Sequence, residues 1–206
     1  MILKPDELIR KDRYKLLIGT VLPRPIAWVS SMDEEGNLNL APFSYFTVAA
    51  TNPMTLIFCP QIPDGGRKKD TWRNIEQVPE FVVNITNEET AERMNLTATT
   101  LSAGESEFDW AGLTPAPSET VRVPRVAEAP VSYECTLQRI VTVGDGSPGT
   151  GAAIFGEVQC IHIRDDVYDG SYVTLDALKP IGRLAGSQYT RVTDLFSMKR
   201  VPPPEQ

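Results

Sequence analysis

Residues 23–60, PRPIAWVSSMDEEGNLNLAPFSYFTVAATNPMTLIFCP, read as strand, tight turn, strand, loop and strand. A period of two puts Ile26, Trp28 and Ser30 on one face of the first strand and Ala27, Val29 and Ser31 on the other. Asp33-Glu34-Glu35-Gly36-Asn37 is turn chemistry, with Gly36 or Asn37 able to take positive φ. Pro42 removes a ladder donor in mid-segment, so pairing ends, bulges or runs along an edge there. Main-chain groups at an interrupted strand are free to bond something else. Asn39-Leu40-Ala41-Pro42-Phe43-Ser44 thus has the composition of a ligand-binding ledge. A plain hairpin with an edge proline has the same composition, and the residues alone leave both readings open.

Outward from this stretch the pattern stays mostly β. Residues 1–15 are polar, with a short helix expected around Asp6–Arg13, and Lys15–Val21 leads into the central stretch. After a strand at Met54–Phe58, the loop PQIPDGGRKKDT (60–71) opens a short helix from Thr71 to about Gln77. Asp70 is its expected N-cap, and Pro79 lies just beyond its end. Glu80–Ile85 alternates as a strand, and Glu88 to about Thr99 sets Ala91, Met94 and Ala98 at helical spacing. Residues 102–130, rich in proline and turn residues, read as an ordered excursion with little regular structure. Excursions of this length line a site or pack on a partner.

The second half opens with an alternation over Val131–Val143, in which Val131, Tyr133, Cys135, Leu137, Val141 and Val143 share a face, with Arg139 the exception. Ala153–Ile163 is a second long strand, with His162 on the face of Ile154, Val158 and Cys160. Between them GDGSPGTG (144–151) satisfies GxGxxG, but a strand resumes where the dinucleotide motif needs a helix. It reads as a hairpin loop. Residues 165–206 are mostly loop, with a helical turn near Leu175–Leu178 and an extended Pro-rich tail from about 200 to 206. No repeat or linker divides the chain, so residues 1–206 are expected to form a single domain.

Composition narrows the function. The formal net charge is −7, from 20 Lys+Arg against 27 Asp+Glu, which argues against nucleic acid as a partner. Cys59, Cys135 and Cys160 are far apart and odd in number, so no disulfide framework or structural zinc motif is indicated. They read as buried inert thiols. The charged start MILKPDELIRKDRYK is no signal peptide, and no apolar run approaches the ~20 residues that cross a bilayer. No membrane association and a cytoplasmic location are the expectation. His162 is the single histidine and reads as structural, and the acidic residues fall in turns or on solvated faces. No catalytic acid, base or metal ligand set is picked out. The residues offer one candidate anion site: Arg67, Lys68 and Lys69 lead into a helix start at Asp70-Thr71, where free N–H groups and the dipole suit a phosphate, though a solvated basic loop capping a helix has the same composition and the residues alone favour it.

Six segments in order, RPIAWVSSMDEEGNLNLAPFSYF (24–46), NPMTLIF (52–58), KKDTWRNI (68–75), EFVVNI (80–85), AIFGEV (153–158) and PIGRLAGSQY (180–189), carry a family resemblance. Over roughly residues 10–190 the chain resembles the flavin reductase-like proteins with the FMN-binding split barrel. The resemblance implies a mainly β fold, an antiparallel, Greek-key-like split β-barrel of six or seven strands with short helices. It also implies a homodimer holding one FMN per subunit near the subunit interface, which the 102–130 excursion would suit. By that resemblance Lys69 and Thr71 hold the FMN phosphate, and Ser30 and Ser31 lie by the ribityl chain or phosphate. Asn39, Ala41, Pro42, Phe43 and Ser44 surround the ring and ribityl chain, while Arg183 and Tyr189 contact nicotinamide or substrate. Trp28 is placed in the core rather than against the flavin.

The implied activity is an NAD(P)H-dependent flavin reductase, with NADH or NADPH as donor and a partner oxygenase or other redox protein as acceptor. No side chain is needed as a general acid or base. Two alternatives stand beside it: a flavoredoxin-like FMN electron carrier with little direct NAD(P)H activity, and a non-catalytic split-barrel protein for another ligand.

Overall fold

The computed structural model describes residues 1–102 and 104–202. A 3-10 turn at Pro5–Glu7 precedes α1 (Arg10–Thr20), β1 (Ala27–Met32), β2 (Leu38–Phe43), β3 (Phe46–Thr51) and β4 (Met54–Phe58). Then come α2 (Asp70–Gln77), β5 (Glu80–Ile85), α3 (Ala91–Leu96), α4 (Glu107–Trp110) and the short strands β6 (Pro115–Ala116) and β7 (Arg125–Val126). β8 (Val131–Val143) and β9 (Gly151–Ile163) form a long hairpin, followed by α5 (Leu175–Leu178), β10 (Ile181–Arg183) and β11 (Tyr189–Arg191).

Seven strands make one antiparallel sheet in the order β2-β1-β5-β8-β9-β4-β3. Its two edges, β2 and β3, are separated in sequence by Ser44 and Tyr45 alone. Three Cα steps reach about 11 Å at most, whereas seven strands laid flat span about 29 Å. The sheet must therefore curl until its edges approach at Ser44. Chain connectivity closes the barrel at this seam, without a ladder between β2 and β3. Tyr45 O accepts from Cys59 N at 2.8 Å and holds the seam to the end of β4.

The β1–β2 turn is built by Asp33, whose carboxylate accepts from Asn37 N and Asn37 Nδ2, each at 2.8 Å. Gly36 supplies the positive φ, +87°. Pro42 pairs with Trp28 on the edge strand β2. Leu40 N, of the same parity, points to the free side and bonds Glu107 there, so the donor that proline lacks is one that no neighbouring strand needs.

Both faces of β1 are buried, as its alternation divides them. Ala27 and Val29 join Phe43, Phe58, Phe81 and Ile154 inside the barrel, where Trp72 and Ile75 of α2 plug one end. Ile26, Trp28 and Leu40 face outward against Met94, Phe108, Val126 and Ile181. Trp28 is fully buried, and its Nε1 donates to Thr97 Oγ1 at 2.9 Å. The 102–130 excursion is thus a cover for its own sheet, contributing Phe108, Leu113, Val123 and Val126 to buried clusters.

Several expectations are corrected. The helix foreseen at Asp6–Arg13 starts at Arg10 and runs on to Thr20. Lys69, not Asp70, is the N-cap of α2. α3 spans only Ala91–Leu96, because Asn87 and Thr90 exchange side-chain bonds with each other's backbone N–H and hold the preceding turn. A bulge at Gln138 pairs Leu137 with Gly156 but Arg139 with Phe155, so Ile140 turns inward while Val141 and Val143 turn to solvent. A second bulge, at Gln159, sets Val158 beside Cys135 and Cys160 beside Glu134, on opposite faces. Glu134 is fully buried rather than solvated. The 144–151 segment is the β8–β9 hairpin loop, and residues 203–206 of the foreseen tail lie outside the described residues.

Candidate functional site

α2 buries Thr71, Trp72, Asn74 and Ile75, the i, i+1, i+3, i+4 face of a short amphipathic helix. Trp72 and Ile75 enter the barrel core, while Thr71 and Asn74 meet the polar end of the β1–β2 pair. Ser31 and Asn39 are direct partners there. Asn39 Nδ2 donates to Thr71 Oγ1 at 2.8 Å and to Ser31 Oγ at 3.3 Å, and Asn74 Nδ2 donates to Ser31 Oγ at 3.3 Å. All four residues are buried. Satisfied buried networks of this kind rigidify what they join.

Above this network runs a groove of ≈ 640 Å³, within the range of small-molecule sites. Its walls are Asn37, Leu38, Asn39, Ala41 and Pro42 of β2 and the turn before it, the approach to α2 and its first turns, and residues 97–102 and 104–107. Cations gather at the α2 end. Lys68 is spoken for, with its ammonium 2.6 and 2.9 Å from the two Glu76 carboxylate oxygens and 4.7 Å from the centre of the Trp72 ring. Arg73 pairs with Asp70. Arg67 and Lys69 meet no carboxylate among the described residues. The Lys69 side chain makes no capping bond, and its ammonium lies 5.5 Å from the centre of the Phe43 ring. Crowding by the groove wall pushes the Lys69 pKa down, and an anion arriving there favours the charged form. The dipole of α2 adds to the attraction.

The opposite charge sits farther along the groove. Glu107 Oε2 accepts from Leu40 N at 3.0 Å, capping the free edge of β2. Burial raises the Glu107 pKa, and the Leu40 N–H pulls part of that back.

The structure divides the foreseen residues. Asn39, Ala41, Pro42, Lys69 and Thr71 line the groove, and Ser31 supports it from beneath. Phe43 is buried in the barrel under Lys69. Ser44 sits at the seam, where its hydroxyl accepts from Arg24 Nε at 3.3 Å. Ser30 is on the other face of β1, donating to Pro124 O at 2.6 Å, so it does not join Ser31 at the groove. Arg183 and Tyr189 also lie elsewhere. The Arg183 guanidinium stacks on Tyr189, 4.5 Å from the ring centre, and Tyr189 OH donates to Asn95 Oδ1 at 3.0 Å beside a second hollow of ≈ 550 Å³.

Three contributors escaped sequence reasoning. Asn74 was within reach, being three residues beyond Thr71 on one helix face. Glu107 carries no local signal. Arg24, 5% exposed, donates to Ile18 O, Val21 O and Leu184 O at 2.8 to 2.9 Å as well as to Ser44. It ties the end of α1 and the segment after β10 to the seam.

A groove with an unpaired lysine at a helix start, a polar floor and a strand edge suits an elongated ligand with one anionic end. The flavin reductase like domain matches residues 18–176. The chain belongs to this family. Nitrilotriacetate monooxygenase component B from Bacillus cereus is 40% identical, with 96% of this chain and 98% of that one covered at a TM-score of 0.91. The 2-nitrobenzoate 2-nitroreductase NbaA of Pseudomonas fluorescens is 32% identical over the full length of both chains, with a TM-score of 0.87. A split barrel domain protein of Shewanella frigidimarina shares the fold at 20% identity and a TM-score of 0.82, covering 98% and 100% of the two chains. The flavin reductase-like chain is therefore a mainly β split barrel.

Proposed function

We propose that the groove binds FMN and that the protein is an NAD(P)H-dependent flavin reductase. The observation that carries this is the convergence of unpaired Lys69 and the buried Asn39–Thr71 pair on one groove along the edge of β2. In this reading Lys69, Thr71 and the start of α2 take the phosphate. Asn39, Ala41 and Pro42 border the ribityl chain and ring, and Phe43 and Ser44 shape the end at the seam. Bound FMN supplies a ring that accepts a hydride from NADH or NADPH and releases electrons onward. The chain orients and shields; no lining side chain has to move a proton.

Leu96 lines the second hollow and the adjacent Thr97 lines the groove, so a donor seated against Tyr189 and Arg183 would sit beside the flavin site. The likeness to a monooxygenase component B supports an oxygenase as the electron-accepting partner. The likeness to NbaA over both whole chains favours a second acceptor class, a nitroarene. We read the 1–206 chain as one unit acting as a homodimer.

A visible spectrum of the purified protein, before and after anaerobic NADH or NADPH, tests the assignment. A yellow protein bleached by either nucleotide is the expected result. A yellow protein that neither bleaches is an electron carrier of the flavoredoxin type. A colourless protein that ignores added FMN removes the reading.

A further inference from the structure

β8 and β9 carry a second constellation, none of whose residues lines the groove. Glu134 and Cys160 are register partners, and Ser132 and His162 are the neighbouring pair on the same face. Cys160 reaches that face because of the bulge at Gln159: Val158 pairs with core Cys135, and an unbroken strand would turn Cys160 the same way. His162 Nε2 lies 2.5 Å from Glu134 Oε1 and 3.9 Å from Cys160 Sγ. All three ligand-type atoms fall within 4.8 Å of one another.

The carboxylate is held from behind. Glu119 N donates to Oε1 at 2.7 Å, while Thr120 N at 2.6 Å and Thr120 Oγ1 at 2.5 Å donate to Oε2. Such outer bonds orient a metal-bound carboxylate and set its basicity. Cys160 and His162 are partly exposed, which leaves an approach from solvent. A nucleophilic reading fails on geometry. A thiol–imidazole–carboxylate relay uses both ring nitrogens, but here Nε2 faces both partners.

We propose that Glu134, Cys160 and His162 bind one zinc ion, with water in the fourth position. Zinc bonds of 2.0–2.3 Å set tetrahedral ligand atoms roughly 3.3–3.7 Å apart. The His162–Cys160 separation is already close to this, and the His162–Glu134 pair opens by roughly 1 Å as zinc takes the place of the proton between them. Binding releases the Cys160 thiol proton to solvent and requires His162 Nε2 to present its lone pair, so the proton between His162 and Glu134 leaves that nitrogen. The ion would clamp the bulge in β9 to the 119–120 turn. The site is independent of any flavin.

The test uses the whole protein, stripped with a chelator and titrated with Zn²⁺ against a chromophoric competitor. Wild type and Cys59→Ser should each bind one Zn²⁺ per chain, and the dependence of binding heat on buffer should report proton release. Cys160→Ser and His162→Gln should each bind at least ~10-fold more weakly. A thiolate-to-metal charge-transfer band with Co²⁺, lost in Cys160→Ser, gives a second readout should His162→Gln fail to fold. Uptake that is equally weak in all four proteins, or that survives both ligand substitutions, overturns the proposal.

Discussion

Asn39 Nδ2 donates to Thr71 Oγ1 at 2.8 Å across 32 residues of sequence, and this bond joins the edge of the sheet to the start of α2. It places a free strand edge and a helix N-terminus in one groove. Neither alone would grip both ends of an FMN-sized molecule. Ser31 and Asn74 buttress the bond from beneath, so the two walls are held at a set distance before any ligand arrives.

Lys69→Ala should weaken FMN binding about tenfold, the loss of one charge-assisted bond, and leave the urea midpoint unchanged because the Lys69 side chain makes no capping bond and no ion pair among the described residues. Thr71→Ala adds a stability loss of about 1 kcal/mol, since it leaves the buried Asn39 amide short of an acceptor. The double variant should still fold. Fluorescence titration with FMN checks both, and an unchanged affinity in the double variant removes the phosphate assignment.

Glu107→Gln separates charge from contact, because a glutamine oxygen can still accept from Leu40 N. Burial raises the folded-state pKa of Glu107, so its stabilising effect is full below the unfolded value and is lost as pH rises through the folded one. The variant should match wild type near pH 4 and become progressively more stable relative to it toward pH 8, read from urea midpoints. Removing a negative charge from the groove should also tighten FMN binding at pH 8 by roughly threefold.

Arg24→Lys should cost about 3 kcal/mol in urea unfolding. A lysine carries three donors on a flexible stem and cannot span the planar fork that reaches Ile18 O, Val21 O, Leu184 O and Ser44 at once. FMN affinity should fall with it if the seam at Ser44 shapes the ring end of the site.

Gly156→Ala should cost about 1–3 kcal/mol by overpacking. An added Cβ would lie 2.3 Å from Phe81 Cζ and 3.0 Å from Cys135 Cβ, inside the barrel core. A melting temperature equal to that of wild type would show that the Phe81 ring can move aside.

Much of this was legible in the chain. The alternation of Ile26–Ser31 sorts Trp28 from Val29 correctly into the two cores, and the same parity separates Ser30 from Ser31. Resemblance placed both serines at the cofactor, yet a strand cannot turn adjacent side chains to one side. The β8 pattern misled for the converse reason. Its alternation resumes at Val141 and Val143, but the extra residue at Gln138 is a property of pairing with β9, and its one mark in the pattern is Arg139 on the apolar face.

The sequence by itself determined six of the seven strands of the sheet, the Asp33–Asn37 turn, the interruption at Pro42 and the basic start of α2, because each follows from local chemistry within a few residues, whereas β3 (Phe46–Thr51) read as loop. Only the tertiary structure decided that Glu107 caps Leu40 across 67 residues, that Arg24 locks the seam, and that Lys69 rather than Lys68 is left unpaired. These depend on which distant carboxylate or carbonyl the closed barrel brings within about 3 Å, and a linear pattern carries no record of that distance.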